Sequence, residues 1–183
     1  MPSTIWTIGH STRPIDEFSA LLFRQEIRIL VDVRTVPRSR HNPQFNTETL
    51  GKSLEQAGLS YFHMPRLGGL RNAKKDSINV GWRNASFRGY ADYMQTKEFW
   101  NALDELMVHG NTARTAIMCA EAVPWRCHRS LIADALLSRG WTVRHIMTQE
   151  KADEHRMTPF AVIDTGRLIY PAPIDQNAPP RLF

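Results

Sequence analysis

The sequence has 183 residues, a mass of 21.0 kDa and 42% hydrophobic residues, which fits one globular domain and excludes a disordered tail or a coiled coil. Its two cysteines cannot form a disulfide framework, and charged residues interrupt every apolar run before the roughly 18 residues that a membrane span needs. The N-terminus lacks the pattern of a signal peptide, so we expect a cytoplasmic protein without a membrane partner, and the net charge of +5 favours an anionic partner.

Strand-like and helix-like apolar patterns alternate in the first third of the chain. Residues 4–8 and 27–33 predict strands, and a helix beginning at Pro14 fills the gap between them. Thr47 is the expected cap of a second helix, which leads to a short third strand at residues 60–63. This alternation is typical of a parallel α/β sheet.

A long segment without clear periodicity follows at residues 66–89. It is basic and glycine-rich, and a loop of this length in a compact domain is typical of a lid, a binding loop or a disordered stretch. Of the 23 Lys and Arg residues, ten fall between Arg34 and Arg88, against three acidic residues. We therefore expect this basic loop to cover a site for an anion.

The alternation resumes after the loop. Two helices, or one helix broken near Thr96, precede a strand at residues 112–119. A helix at residues 129–139 and a strand at residues 142–147 follow, and Thr165-Gly166 predicts a small hairpin.

Together these elements predict one α/β domain over residues 1–170. The expected architecture is a three-layer fold with a mostly parallel sheet flanked by helices. Residues 171–183 form a Pro-rich C-terminal tail. The sequence makes no prediction about the oligomeric state.

Polar residues follow each predicted strand at the point where it ends. Because the carboxyl ends of parallel strands meet at one edge of a sheet, where open α/β sheets bind ligands, these side chains are expected to form one polar pocket. The candidate ligand-binding residues are Ser11, Asp32, Arg34, Arg38, Ser39, His63, Cys119, His128 and Arg129. The candidate catalytic residues are Glu121, Cys127 and His10.

The start of the predicted helix at residue 129 is a second indication of an anion site. Free backbone N–H groups and the helix dipole favour an anion there, and Arg129 can hold a phosphate or carboxylate through two parallel hydrogen bonds. A thiol beside His128 and Arg126 also has a lowered pKa, which favours Cys127 as the reactive cysteine. The structural alternatives stay open: Ser130 as a helix cap and Arg129 as an ion-pair partner.

The titratable candidates likewise have two interpretations each. Glu121 and His10 fit proton transfer, and Cys127 fits a reactive thiol. Asp32 and Glu121 fit a structural role equally well, as partners that lock the nearby arginines in place.

Neither a metal ion nor a known cofactor is predicted. Cys119, Cys127, His128, His10 and His63 can converge in space, but neither the cysteine nor the histidine spacing matches a zinc signature. The glycines also have the wrong spacing for a Walker or a dinucleotide motif.

Four motifs in combination resemble a known family. They are Gly9-His10-Ser11, Asp32-Val33-Arg34, Leu67-Gly68-Gly69, and Cys119-Ala120-Glu121 followed by Cys127-His128-Arg129. In this combination they are similar to the bacterial and archaeal family called domain of unknown function 488, over about residues 4–147. The resemblance implies an α/β fold and a shared polar pocket, without an established activity.

Three functions are compatible with this pattern. The first is an enzyme or sensor pocket for a phosphorylated small molecule or nucleotide, which is the interpretation we favour. The second is thiol chemistry of the rhodanese or Cys-based phosphatase kind, although six residues separate Cys119 from Arg126 where those enzymes need a shorter loop. The third is nucleic-acid binding through the basic segment. Aromatic residues for stacking are then Tyr61, Phe62, Trp82, Phe87 and Tyr90.

Overall fold

The computed structural model describes residues 3–173, so most of the predicted tail, residues 174–183, lies outside the described residues. The strands are β1 (Thr4–Gly9), β2 (Ile29–Asp32), β3 (Ser60–His63), β4 (Thr115–Cys119), β5 (Thr142–Ile146), β6 (Ala152–Glu154), β7 (Val162–Asp164) and β8 (Arg167–Ile169). The α-helices are α1 (Ile15–Arg24), α2 (Thr47–Gln56), α3 (Ala85–Tyr93), α4 (Lys97–Thr112) and α5 (Arg129–Ser138). Within residues 3–173, no helix combines the length and the apolar character needed to cross a bilayer.

Six strands form the main sheet, in the order β3-β2-β4-β1-β5-β6. The first five are parallel, and β6 adds an antiparallel edge. A separate hairpin pairs β7 with β8 through Thr165 and Gly166, whose φ angles of 47° and 80° are those of a tight hairpin turn. The predicted mostly parallel sheet and the hairpin are confirmed.

Helices cover both faces of the sheet, as the three-layer prediction requires. On one face, Phe18 and Leu22 of α1 and Leu50 of α2 pack against Ile8 and Leu30. On the other face, α3, α4 and α5 contribute residues such as Tyr90, Phe99 and Leu131, which pack on Val31 and Ile117. Each strand of the sheet centre is therefore buried on both sides, which explains its continuous apolar sequence.

The connections open a crevice between β1 and β4. These strands are parallel neighbours, with Gly9 opposite Cys119. The chain leaves β1 towards α1 on one face and leaves β4 towards α5 on the other, so nothing regular covers the carboxyl ends between them. Such a divergence is the usual ligand position in open α/β sheets.

Several predicted boundaries were wrong for local reasons. Helix α2 is preceded by Asn46 at its N-cap position, whereas Thr47 is the first helical residue and its hydroxyl donates to the Pro37 carbonyl at 3.3 Å. Helix α3 begins at Ala85, inside the predicted loop, because the Asn84 side chain accepts hydrogen bonds from two N–H groups of its first turn.

Strand β4 starts only at Thr115, since α4 continues through Thr112. Strand β6 was not predicted, since the short sequence Ala152-Asp153-Glu154 carries no strand pattern.

Residues 74–79 of the basic loop are tied to α3 by one buried carboxylate. Asp92 accepts hydrogen bonds from the Lys74 backbone N–H at 2.8 Å, the Ser77 hydroxyl at 2.6 Å and the Asn79 amide at 2.9 Å. The Asn79 side chain also accepts a hydrogen bond from the Tyr170 backbone N–H at 3.0 Å. Residues 74–79 are thus anchored to the domain although they form no helix or strand.

We expect Asp92→Ala to release this anchored segment. The substitution leaves three donors without their acceptor, so the free energy of unfolding should fall by about 2–4 kcal/mol, since each hydrogen bond to a charged group contributes about 1.5–3 kcal/mol. Trypsin should then cleave after Lys74 and Lys75 faster than in the wild type. Asp76→Ala, which alters an exposed acid of the same segment, is the matched control. Equal cleavage rates in both variants would contradict the anchoring role.

Candidate functional site

A cavity of about 800 Å³ lies at the carboxyl edge of the sheet, above β1, β2 and β4. Its size is typical of pockets for small molecules. Three arginines, Arg34, Arg38 and Arg126, line it together with one acidic residue, Glu121. Hydroxyl and amide groups add further polar contacts, from Ser11, Thr12, Thr35, Ser39, Asn42, Asn84 and Ser86.

Asp32 fixes Arg34 at the base of the cavity wall. One oxygen of the Asp32 carboxylate accepts from Arg34 Nε at 2.9 Å, and the other accepts from Nη2 at 2.6 Å and from the Tyr61 hydroxyl at 2.7 Å. Burial alone would lower the pKa of Arg34, but its hydrogen bond with Asp32 and the charge of that carboxylate raise the pKa. Arg34 is thus a permanent cation in a fixed orientation. Removing Asp32 would leave this buried charge without a partner.

The His10 ring packs beside Arg34 in the neutral form. Its Nδ1 donates to the Ser11 carbonyl at 2.7 Å, its Nε2 accepts from Arg34 Nη1 at 3.2 Å, and the ring stacks on Phe45. Burial, together with the charge of Arg34, lowers the pKa of His10 to about 4. Because both ring nitrogens are bonded within the protein, this geometry favours a positioning role for His10 over proton transfer.

Cys119 and Cys127 meet as free thiols on the cavity floor. The interaction between the two side chains lowers the pKa of Cys127 and raises the pKa of Cys119. His128 Nδ1 lies 3.7 Å from the Cys127 sulfur, and Arg129 Nε donates to the same sulfur at 3.4 Å. The guanidinium group of Arg129 stabilises negative charge on this sulfur.

Arg129 lies behind the thiols and not on the cavity wall. Its side chain is 1% exposed, and its remaining nitrogens donate to the Glu121 carbonyl at 2.6 Å and the Thr7 hydroxyl at 3.2 Å. Gly9 permits the first of these contacts, because a Cβ on residue 9 would overlap the Glu121 carbonyl. Arg129 therefore holds the loop after β4 against the end of β1.

A buried hydrogen-bond chain runs from Arg129 to a carboxylate in α5. Thr7 Oγ1 lies 2.8 Å from His145 Nδ1, His145 Nε2 lies 3.0 Å from His155 Nδ1, and His155 Nε2 lies 2.8 Å from Asp134. The guanidinium can only donate and the carboxylate can only accept, so an arrangement in which every proton points towards Asp134 satisfies both ends of the chain. Burial, His155 and Arg129 accordingly lower the pKa of His145 to about 4.

This chain predicts a specific loss of stability in acid. The folded-state pKa of His145 is about 4, below the usual value of 6.5. Below about pH 6.5 the unfolded chain therefore binds a proton that the folded chain does not, so the free energy of unfolding falls as the pH falls. The loss reaches about 3 kcal/mol near pH 4, and His10 adds a loss of the same sign. Denaturation at several pH values should show a shallower acid slope for His145→Gln than for the wild type. An unchanged slope, equal to that of the exposed-site control His41→Gln, would contradict the assignment.

A comparison with protein families supports the resemblance seen in the sequence. The family described as Domain of unknown function DUF488 matches residues 14–136, which is more than half of the chain. The chain belongs to the DUF488 family. Comparisons with curated proteins and with solved structures gave no significant match.

In this DUF488 domain, most of the residues that the sequence singled out meet at the cavity. Nine line it: His10, Ser11, Arg34, Arg38, Ser39, Cys119, Glu121, Cys127 and His128. Three do not, because their polar groups bond within the protein: Asp32 holds Arg34, Arg129 lies behind the thiols, and His63 Nε2 donates to the Arg34 carbonyl at 2.8 Å. Their direct contact with a ligand is not supported by this geometry.

Some functional neighbours were missed by the sequence reasoning. Arg126 lines the cavity, and its position in a short proline-led turn before Cys127 was the available signal. Thr7 and His155 carry the buried chain, but no local pattern links residues that meet across the sheet. Gly69 packs on His128, where a Cβ would lie 2.5 Å from Nδ1. The only sequence signal for this close approach was the glycine pair Gly68-Gly69 within the basic loop.

Proposed function

We propose that this chain binds a phosphorylated small molecule or a nucleotide in the cavity above β1, β2 and β4. The observation that carries the proposal is the charge of the residues that line the cavity, which are Arg34, Arg38 and Arg126 against one acidic residue, Glu121. Planar guanidinium groups are the preferred partners of phosphate oxygens because they donate two parallel hydrogen bonds.

The orientation of Arg34 supports this assignment. Its Nε and Nη2 hydrogens bond to Asp32 and to the Phe45 carbonyl, and Nη1 donates to His10. One hydrogen of Nη1 is left for a ligand, since this nitrogen carries two. A cation fixed in this way loses little conformational entropy when it binds an anion.

The remaining wall suits a ligand larger than inorganic phosphate. Hydroxyl groups of Ser11 and Ser86 offer hydrogen bonds, while Phe87 and Leu70 provide apolar surface for a sugar or a base. Ser11 adopts a left-handed backbone conformation with φ of 50°, which is costly for a serine and often occurs at functional sites. The volume of about 800 Å³ also accommodates a nucleotide.

Nucleic-acid binding by stacking receives less support from the geometry. Tyr90 is fully buried and its hydroxyl donates to the Leu67 carbonyl, while the Tyr61 hydroxyl bonds to Asp32. Trp82 stacks on Phe87 inside the domain. These aromatic rings contribute to packing, so few of the predicted stacking groups can reach a base.

A rhodanese-like or phosphatase-like reaction is likewise not favoured. In that chemistry the helix-start arginine would contact the substrate anion, but Arg129 directs its nitrogens to Cys127, Glu121 and Thr7. The residues between Cys119 and Cys127 also form a wide loop with a proline-led turn and no tight cradle around one sulfur.

The test is a binding screen with nucleotides, sugar phosphates and inorganic phosphate, read first as a shift of the thermal midpoint and then by calorimetry. We expect Arg38→Ala and Arg126→Ala each to weaken binding about 10- to 100-fold, since a hydrogen bond to a charged group contributes about 1.5–3 kcal/mol. Both side chains are exposed, so their removal should leave the fold intact.

Arg40→Ala is the matched control, because Arg40 is an exposed arginine two residues from Arg38 that does not line the cavity. Binding should persist at high salt for a small ligand, whereas nucleic-acid binding falls steeply. The proposal is wrong if no compound of the screen shifts the midpoint, or if Arg40→Ala weakens binding as much as Arg38→Ala does.

A further inference from the structure

We propose that Cys119, Cys127 and His128 bind a zinc ion at the floor of the cavity. The sulfur atoms of both cysteines and Nδ1 of His128 all lie within 4.8 Å of one another. This inference goes beyond the proposed ligand, because it concerns the cavity floor and not the arginines of its wall.

The separation of two donor atoms matches a tetrahedral site. Cys127 Sγ and His128 Nδ1 are 3.7 Å apart. Zinc bonds of about 2.3 Å to sulfur and about 2.1 Å to nitrogen give a tetrahedral edge of about 3.6 Å. An ion can therefore join these two atoms with almost no movement of either side chain.

The imidazole of His128 presents the correct nitrogen. Its Nε2 donates to the Val33 carbonyl at 3.0 Å, so Nδ1 is the unprotonated nitrogen of the neutral ring and faces Cys127. Histidine ligands of metals in proteins are typically oriented by such a hydrogen bond from the other ring nitrogen. The side chain is thus preorganised for coordination.

The donor set selects a thiophilic cation. Two thiolates and one imidazole suit zinc, whereas magnesium and calcium prefer carboxylate and carbonyl oxygens. The two thiolate charges neutralise the ion, and the thiol protons are released on binding. Arg129 donates to the Cys127 sulfur at 3.4 Å, which restrains this ligand from behind.

The site would have three protein ligands and one open position. All three ligand residues line the cavity, so the open position faces the space bounded by Arg34 and Arg126. Zinc sites with three protein ligands are characteristically catalytic, since the fourth position takes water or a substrate oxygen. An anion bound in the cavity can reach the ion directly.

Cobalt titration of the full-length chain without a histidine tag tests this site. Both thiols are first kept reduced and counted with a thiol reagent. We expect one cobalt ion per chain and a thiolate-to-cobalt absorption band, which zinc then abolishes by displacement. The chain has only two cysteines, so this band reports Cys119 and Cys127 alone. Magnesium should not compete.

Four variants locate the ion. Cys119→Ser and Cys127→Ser should each strongly weaken the absorption band and the affinity for cobalt. Removing a group that only orients a metal ligand typically lowers metal affinity about 10- to 100-fold. His128→Gln removes a ligand itself, so it should lower cobalt affinity by at least that much. Gly69→Ala keeps all three ligands but places a Cβ against Nδ1, so it should also weaken binding. His41→Gln, which alters an exposed histidine that does not line the cavity, is the control and should bind as the wild type does.

Circular dichroism at the titration temperature confirms that each variant is folded. The proposal is overturned if the reduced wild type shows no thiolate band, or if folded His128→Gln binds cobalt with unchanged affinity. Its failure is separate from failure of the anion site, because Arg38→Ala and Arg126→Ala should leave cobalt affinity within a few fold of the wild type.

Discussion

The parallel pairing of β1 with β4 sets the position of nearly every polar group in the cavity. It brings Gly9 opposite Cys119, and it continues beyond the strands where the His10 and Ser11 N–H groups donate to the carbonyls of Cys119 and Ala120, both at 2.9 Å. Strand β2 joins on the other side of β4, through a hydrogen bond of 3.0 Å from the Val33 N–H to the Met118 carbonyl. The register of the strand pairing therefore determines which side chains meet at the cavity floor. A shift of this register by one residue would separate the thiols, imidazoles and guanidinium groups.

Two buried arginines, Arg34 and Arg129, have different surroundings at the cavity. Arg34 is neutralised by Asp32 and still faces the cavity, so it is available to a ligand. Arg129 is linked through Thr7, His145 and His155 to Asp134, and it supports Cys127 from behind. Because a buried charge without a partner is costly, each of these networks also constrains the local conformation. The region around the thiols is consequently held from both the β1 side and the α5 side.

Much of the fold could be predicted from the sequence because periodicity is a local property. The alternating patterns identified β1 to β5 and most helices, and the strand-end rule identified nine of the residues that line the cavity. The direction of a side chain depends on distant partners, which the local sequence does not show. For this reason the sequence placed Arg129 in contact with the ligand, whereas the structure turns it away from the cavity. Its orientation is set by Thr7 and by the Glu121 carbonyl, on other parts of the chain. The sequence indicated that Cys119, Cys127 and His128 can converge, but it predicted no metal there because their spacing matches no zinc signature.

The most direct measurement is a crystal structure of the reduced chain grown with zinc and phosphate, with an anomalous difference map recorded at the zinc absorption edge. The account predicts a single strong peak bonded to both sulfurs and to His128 Nδ1, with phosphate density between that peak and the guanidinium groups of Arg34, Arg38 and Arg126. A peak elsewhere, a disulfide between Cys119 and Cys127, or a cavity without phosphate density would contradict it.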